Sequence, residues 1–436
     1  MVLMASHPRA RSLAFATALC ALLLLVSAQG AAASVSGDLS SLQAAGKIDA
    51  ARQKSALASY KAARSLRKKK TGAARTALSR QLNTIESLSR AKRLTGDRVL
   101  PLFTQLRANV DWFKSHGPAA DGTRTRLVSG SRIYFQYFSG RGWQFHPLAN
   151  FSALNAVWTD KSAAARRALG KYAHELVQWG VMRGEALVWE YYFPFGGSKA
   201  PFISSISQGT AIQALARSSY ALKDAEIMAA ATAGSKAFAA AAPNGLRISR
   251  DGGNHYLGYS GNRRSIIFNM FVQSLNGLHD YAEIADDAAA RELYVKGLTA
   301  ADAELPRSDT GAWSLYQERG GESNLNYHKV LLDFLIELCK NHGVEGPYCG
   351  LATKYTGYLT AKPRVTGVSK KVKHGRLYVR FKLSKISTVT VRTADGRSAT
   401  ATVGRGKRSF SVRKRRSKSV TITVRDLAGN TATYKR

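Results

Sequence analysis

The residues best suited to chemistry lie between positions 309 and 331, in the stretch DTGAWSLYQERGGESNLNYHKVL. Tyr316, Arg319, Tyr327 and His328 place two phenols, a guanidinium and an imidazole within thirteen residues. A guanidinium grips a carboxylate as a planar fork. Phenol and imidazole groups donate protons and, once deprotonated, accept them. An apolar run at helical spacing follows directly, through Val330, Leu331, Leu332, Phe334, Leu335, Ile336 and Leu338. The polar groups therefore open a core-facing helix at the mouth of a scaffold, where loops carry chemistry. The inert alternative is a capped helix start with two interfacial tyrosines.

Two earlier segments frame this cluster. Residues 204–222 read SSISQGTAIQALARSSYAL, and residues 259–281 read YSGNRRSIIFNMFVQSLNGLHDY. Together with DTGAWSLYQERGGESNLNYH they resemble, in order, three motifs of the C-terminal domain of the D-glucuronyl C5-epimerases, which act on uronic acids in polysaccharides. The likeness covers roughly residues 130 to 360. It implies cofactor-free removal of the proton α to a uronate carboxylate and its return from the other face. That reaction needs donors on the carboxylate and two proton-transfer groups. Tyrosine suits either role if neighbouring cations lower its pKa.

Carried over by motif position, the resemblance implies Tyr259, Tyr316 and Tyr327 as catalytic groups. It implies Arg319 on the substrate carboxylate, with His328 as a further donor. Gln208 and Asn269 are expected to bind hydroxyls, or to cap or cross-link helices. Tyr256 and His255 are weaker candidates. The sequence departs from the family where a Glu precedes the first tyrosine: Gly258 stands there, and Glu322 or His255 is the expected substitute. Asn326 replaces an acid, and the loop before Tyr327 is shortened. A polysaccharide lyase using the same proton abstraction, and a non-catalytic glycan binder on an epimerase scaffold, stay open.

The remaining chain supplies context. Lys and Arg number 65 against 28 Asp and Glu, a net charge of +37, which attracts polyanions at long range. Residues 1–33 read as a secretory signal: Arg9 and Arg11, then an apolar stretch containing Cys20, then small residues up to Ala33. The expected location is secreted or cell-surface, which disfavours nucleic acid and favours acidic, uronate-containing polysaccharide as partner. In that compartment Cys339 and Cys349, flanking a turn-rich loop, are expected to pair. No cluster has metal-ligand spacing, so neither metal nor cofactor is expected, and oligomeric state is left open.

The expected fold is multidomain and mainly α. A basic helical region spans 34–118, with RSLRKKK (64–70) as an exposed turn or helix end. An incomplete (α/α) barrel or toroid spans 119–360. It begins with a short extended segment at 132–138 and His146-Pro147, where the family has a similar element; a structural role is preferred for His146. Period-two alternation over 361–436 predicts a small all-β immunoglobulin-like sandwich. Its twenty-two basic residues face two acidic ones. It is read as an anchor for anionic cell-wall polymer or glycan, or as a solubilised surface domain.

Overall fold

The computed structural model describes residues 34–413 and 419–436. The expected export signal at 1–33, Cys20 included, lies outside the described residues. Four helices come first: α1 (Val35–Ala44), α2 (Ala50–Lys69), α3 (Gly72–Arg90) and α4 (Gly96–Ser115). Helix α3 buries Leu78, Leu82, Ile85 and Leu88, a stripe at the helical repeat. The basic run ends α2, with Arg67, Lys68 and Lys69 in its last turn, where cations complement the C-terminal partial charge.

A three-stranded antiparallel sheet follows, made of β1 (Arg124–Arg126), β2 (Tyr134–Phe138) and β3 (Gly142–Phe145). Helices α5 (Pro147–Thr159) and α6 (Ala163–Gln178) lead to a hairpin of β4 (Val181–Arg183) and β5 (Ala186–Val188). Next come α7 (Ser205–Leu222) and α8 (Ala225–Ala239), then a hairpin of β6 (Arg247–Arg250) and β7 (Gly253–Tyr256). Helices α9 (Phe268–Ala285), α10 (Ala288–Glu304), α11 (Leu325–His342) and α12 (Tyr348–Tyr358) complete the helical part. Among the described residues, no helix is long and apolar enough to cross a membrane.

One hydrophobic core runs from Val35 on α1 to Tyr355 on α12. The N-terminal helices share this core with the rest of the helical part. A buried ion cluster ties them together. Arg98 on α4 meets Glu190 through two hydrogen bonds of 2.8 Å, and Arg183 on β4 adds a third at 2.7 Å.

The centre of the core is the contact of α7 with α9. Helix α7 is buried along almost its whole length. A Cβ on Gly277 would stand 2.3 Å from the Gly209 carbonyl oxygen, and one on Gly209 would stand 2.9 Å from the Ser274 Cα. Only glycine at both crossing points lets the backbones approach this closely. The Gln-Gly and Asn-Gly pairs of the two sequence motifs are the marks of that crossing.

Residues 361–436 form a second body. Seven strands follow: β8 (Val365–Lys373), β9 (Arg376–Leu383), β10 (Ser387–Thr393), β11 (Ser398–Val403), β12 (Gly406–Arg413), β13 (Val420–Asp426) and β14 (Thr431–Lys435). They make two antiparallel sheets, ordered β11-β10-β13-β14 and β12-β9-β8. Alternate residues of both sheets, among them Leu377, Val379, Phe381, Val389, Ile422 and Val424, enclose one separate core. This body docks on the helices through buried Lys385, which pairs with Asp426 at 2.5 Å and caps the carbonyls of Tyr358 and Ala361 beyond α12. Asn430 adds a bond to the Leu359 carbonyl.

Candidate active site

A cleft of about 790 Å³ opens where β2, the start of α5, the segment 191–206, α9 and α11 meet. The aromatic stretch WEYYFPFGG forms one wall. Tyr191 stacks on Phe202 with ring centroids 5.0 Å apart, and Phe195 and Phe202 present their edges to Tyr259 at 5.5 and 5.6 Å. Gly196, with φ +55°, lies against the Tyr259 ring: a Cβ there would come within 2.3 Å of it. Helix α11 forms the opposite wall with Tyr327, Val330, Asp333, Phe334 and Glu337, positions that recur on one helical face.

The three tyrosines named from sequence come together. Tyr316 packs on Tyr327 with centroids 4.7 Å apart. Tyr259 and Tyr327 line the cleft, and Tyr316 lies beside both without lining it. Tyr259 and Tyr316 rest on Ile206, Ile267 and Met270, while Tyr327 is exposed at the cleft mouth. The expectation of cations lowering these pKa values is not met. Burial first, and the neighbouring phenols second, push the Tyr316 hydroxyl up to about 12 and that of Tyr259 well above its ordinary value. Both phenols therefore hold their protons at neutral pH and act as donors.

Asn269 lines the same cleft. It is buried and its Oδ1 has no hydrogen-bond partner; Ser204 Oγ shares both properties. Buried polar atoms without a partner cost free energy, so these are groups for a hydroxyl-rich ligand to satisfy. The other sequence candidates are placed elsewhere. Gln208 ties α7 to the carbonyls of Leu187 and Gly234, at 2.8 and 3.0 Å. His328 is buried, stacked on Trp313 at 3.8 Å. Its Nε2 donates to the Tyr355 carbonyl and its Nδ1 accepts from Ser314; burial lowers its pKa to about 4. His255 is buried against Glu304 at 2.8 Å, and Tyr256 donates to the Leu293 carbonyl.

Arg319 and Glu322 also lie outside the cleft lining. Arg319 is exposed on a turn with φ +57°. The Glu322 carboxylate accepts from the backbone amides of Ile386 and Arg405, stapling the β-sheet body to the helices. Nor is there space at 258 for the missing acid: a Cβ there would meet Ile267 at 2.9 Å and Met270 Sδ at 3.0 Å.

Arg124 and Arg217, which the sequence reading passed over, line the cleft together with His146. Arg124 reaches in from β1, with Nε on Gln136 at 2.7 Å. His146 caps α5, its Nδ1 accepting from the Ala149 amide at 3.1 Å. That bond fixes the neutral tautomer with its proton on Nε2. Burial, then Arg124, lower the His146 pKa to about 3, so the ring stays a neutral donor. Arg217, over the Trp158 ring at 4.9 Å, is paired with Asp280. The signal for His146 was the His-Pro pair, a helix start with proline at its first position. Arg124 had none, since its strand is three residues long.

Cys339 and Cys349 form a disulfide with Cα atoms 5.0 Å apart, closing the turn between α11 and α12. Among the described residues, no group of three or more His, Cys, Asp or Glu is arranged to hold a metal ion.

No curated protein sequence matches the chain. Residues 183–362 match the family described as D-glucuronyl C5-epimerase C-terminus. That segment contains Tyr259, Tyr316, Tyr327 and Asn269, so the part of the chain that supplies the tyrosines is similar to a D-glucuronyl C5-epimerase C-terminal domain.

Proposed function

We propose that the protein is an exported epimerase acting at C5 of glucuronate-type residues in an acidic polysaccharide. The observation that carries this is the meeting of three tyrosines at one cleft of the family-matched segment: Tyr259 and Tyr327 line it, and Tyr316 packs on Tyr327. Its helices are read as an incomplete (α/α) barrel and its C-terminal sheets as an immunoglobulin-like module.

The C5–H bond breaks and its electron pair moves into the uronate carboxylate, giving an enediolate. Arg124, the cleft guanidinium left unpaired with acid among the described residues, is placed to hold that charge, with His146 as a neutral donor. The cleft carboxylates Asp333 and Glu337 repel the substrate carboxylate towards them. The tyrosine chain supplies the proton traffic. The phenolate form of one tyrosine takes the C5 proton and the phenol of another returns a proton to the opposite face, while exposed Tyr327 at the mouth gives half-buried Tyr316 and Tyr259 exchange with solvent. Loss of a C4 substituent from the same enediolate would make the enzyme a lyase.

Gly258 favours one second reading. With no acid there and no room for one, a domain that binds acidic glycan without turning it over fits the same cleft. Incubation with polyglucuronate separates the readings. Inverted C5 configuration by NMR supports epimerisation, unsaturated-uronate absorbance supports elimination, and binding without either supports the inert domain.

A further inference from the structure

The three-stranded sheet of the C-terminal body has an outer face whose charge is unbalanced. Along β9, Leu377, Val379, Phe381 and Leu383 are buried while Arg376, Tyr378, Arg380 and Lys382 point the other way. The strand register places their neighbours on that same face. Lys382 lies opposite Lys407, and Arg380 opposite Ser409 and Ser369. Tyr378 lies between Ser411 and Lys371, and Arg376 between Arg413 and Lys373.

Seven cations therefore occupy four successive rows around one tyrosine. At ordinary strand geometry the patch is about 20 Å long and about 10 Å wide. Like charges directly opposite one another destabilise a sheet. None of these seven cations has an acidic partner among the described residues. The whole segment has two acids, Asp395 and Asp426, and Asp426 is committed to buried Lys385. On α10, by contrast, surface cations are balanced: Arg291 pairs with Glu283 and Asp286, and Lys296 with Glu292. A surface charged only for solubility intersperses both signs.

We infer that this outer face is a second binding surface, distinct from the cleft, for a linear anionic polysaccharide. Resting on the reading of the cleft as a uronate site, the inference names the same class of polymer for both. The rows of cations match a chain of regularly spaced carboxylates or sulfates, and the Tyr378 ring offers a flat apolar face to a sugar ring. Its role is to hold one part of a polymer while another enters the cleft.

The test uses the full chain and polyglucuronate. Binding is followed against salt in the wild type and in a variant carrying Lys371→Thr, Arg380→Thr, Lys382→Thr and Lys407→Thr. All four positions are exposed, and threonine suits strands. Seven neutralised contacts give a log–log salt slope of about 5, and three remaining contacts about 2, on the single-strand counterion-release coefficient. The inference expects that fall, an affinity loss above tenfold at 0.1 M salt, and unchanged turnover of a tetrasaccharide too short to bridge the two surfaces. An unchanged slope would overturn it. Tighter binding of polyphosphate or single-stranded DNA at matched charge would overturn the choice of polymer. If the variant does not fold, carbodiimide coupling of polyglucuronate to the wild type replaces it: cross-links mapping to Lys371, Lys382 and Lys407 support the inference, and cross-links elsewhere contradict it. Binding is read directly, so an absence of C5 chemistry would sink the function proposed above without deciding this one.

Discussion

Replacing Glu190 by glutamine probes the seam between the N-terminal helices and the segment that matches the epimerase family. The wild-type carboxylate is 1% exposed. It accepts from Arg98 at 2.8 Å twice and from Arg183 at 2.7 Å. Both guanidinium groups are themselves buried, at 7% and 9% side-chain exposure. Glutamine keeps the shape but leaves two buried cations without a counter-charge. Breaking such a cluster costs about 3–5 kcal/mol. If the shared core melts as one unit of over three hundred residues, at roughly 2.1 cal/mol/K per residue, Tm falls by about 4–7 °C. The pH dependence gives a second signature. Burial alone would raise the Glu190 pKa, but the bonds to Arg98 and the charge of Arg183 outweigh it and hold the group below its ordinary value. Its stabilisation is therefore complete above the unfolded pKa of about 4.3 and is lost as pH falls through the lower folded value. Calorimetry from pH 7 to pH 3 should show a constant gap between wild type and Glu190→Gln down to about pH 5, then convergence. A variant as stable as wild type at pH 7, or a gap that persists unchanged to pH 3, would refute the reasoning. The double variant Arg98→Met with Glu190→Met should recover part of the loss, since an apolar pair leaves one buried cation fewer unpaired.

Gly196→Ala adds a methyl group where the Tyr259 ring stands and strains a left-handed backbone position. C5 exchange should fall at least tenfold with the rest of the fold intact by circular dichroism, and undiminished exchange would show that Tyr259 is not held by this contact. Arg124→Gln removes a charge-assisted contact to the uronate carboxylate, so kcat/KM should fall about 10- to 100-fold, in line with about 1.5–3 kcal/mol for such bonds; unaltered kinetics would remove Arg124 from the site. Reducing the Cys339–Cys349 disulfide should lower stability by about 2–3 kcal/mol on the loop-entropy account, read as a shift of the denaturant midpoint, and coincident midpoints would contradict it.

The long periodic helices are legible in the sequence: the apolar run from Val330 to Leu338 lies within Leu325–His342, and the motif segment 204–222 coincides with Ser205–Leu222. Their apolar repeats are set by burial, which the sequence carries. The hairpin of β6 and β7 has its own local mark, Asp251-Gly252 at its turn, both at positive φ, a pair suited to a tight hairpin. The tyrosine cluster was legible because its members sit in three recognisable motifs. The fates of Gln208, His328, His255 and Glu322 were not. Each is a polar side chain whose use depends on which backbone groups arrive beside it from elsewhere in the chain. For Glu322 those are amides some sixty to eighty residues later. Arg124 went unseen for the same reason, since only the folded β1–β2 pairing turns it into the cleft.

The most direct test of the central claim is deuterium incorporation at C5 of polyglucuronate in D2O, comparing the wild type with Tyr259→Phe and Tyr316→Phe. Each substitution removes one hydroxyl from the tyrosine set and leaves the ring packing in place. The account predicts C5 exchange by the wild type and a loss of about 10²- to 10⁴-fold in each variant, the range for a positioned proton-transfer group. Wild-type rates in both phenylalanine variants, or polymer bound in the cleft with no exchange at all, would contradict it.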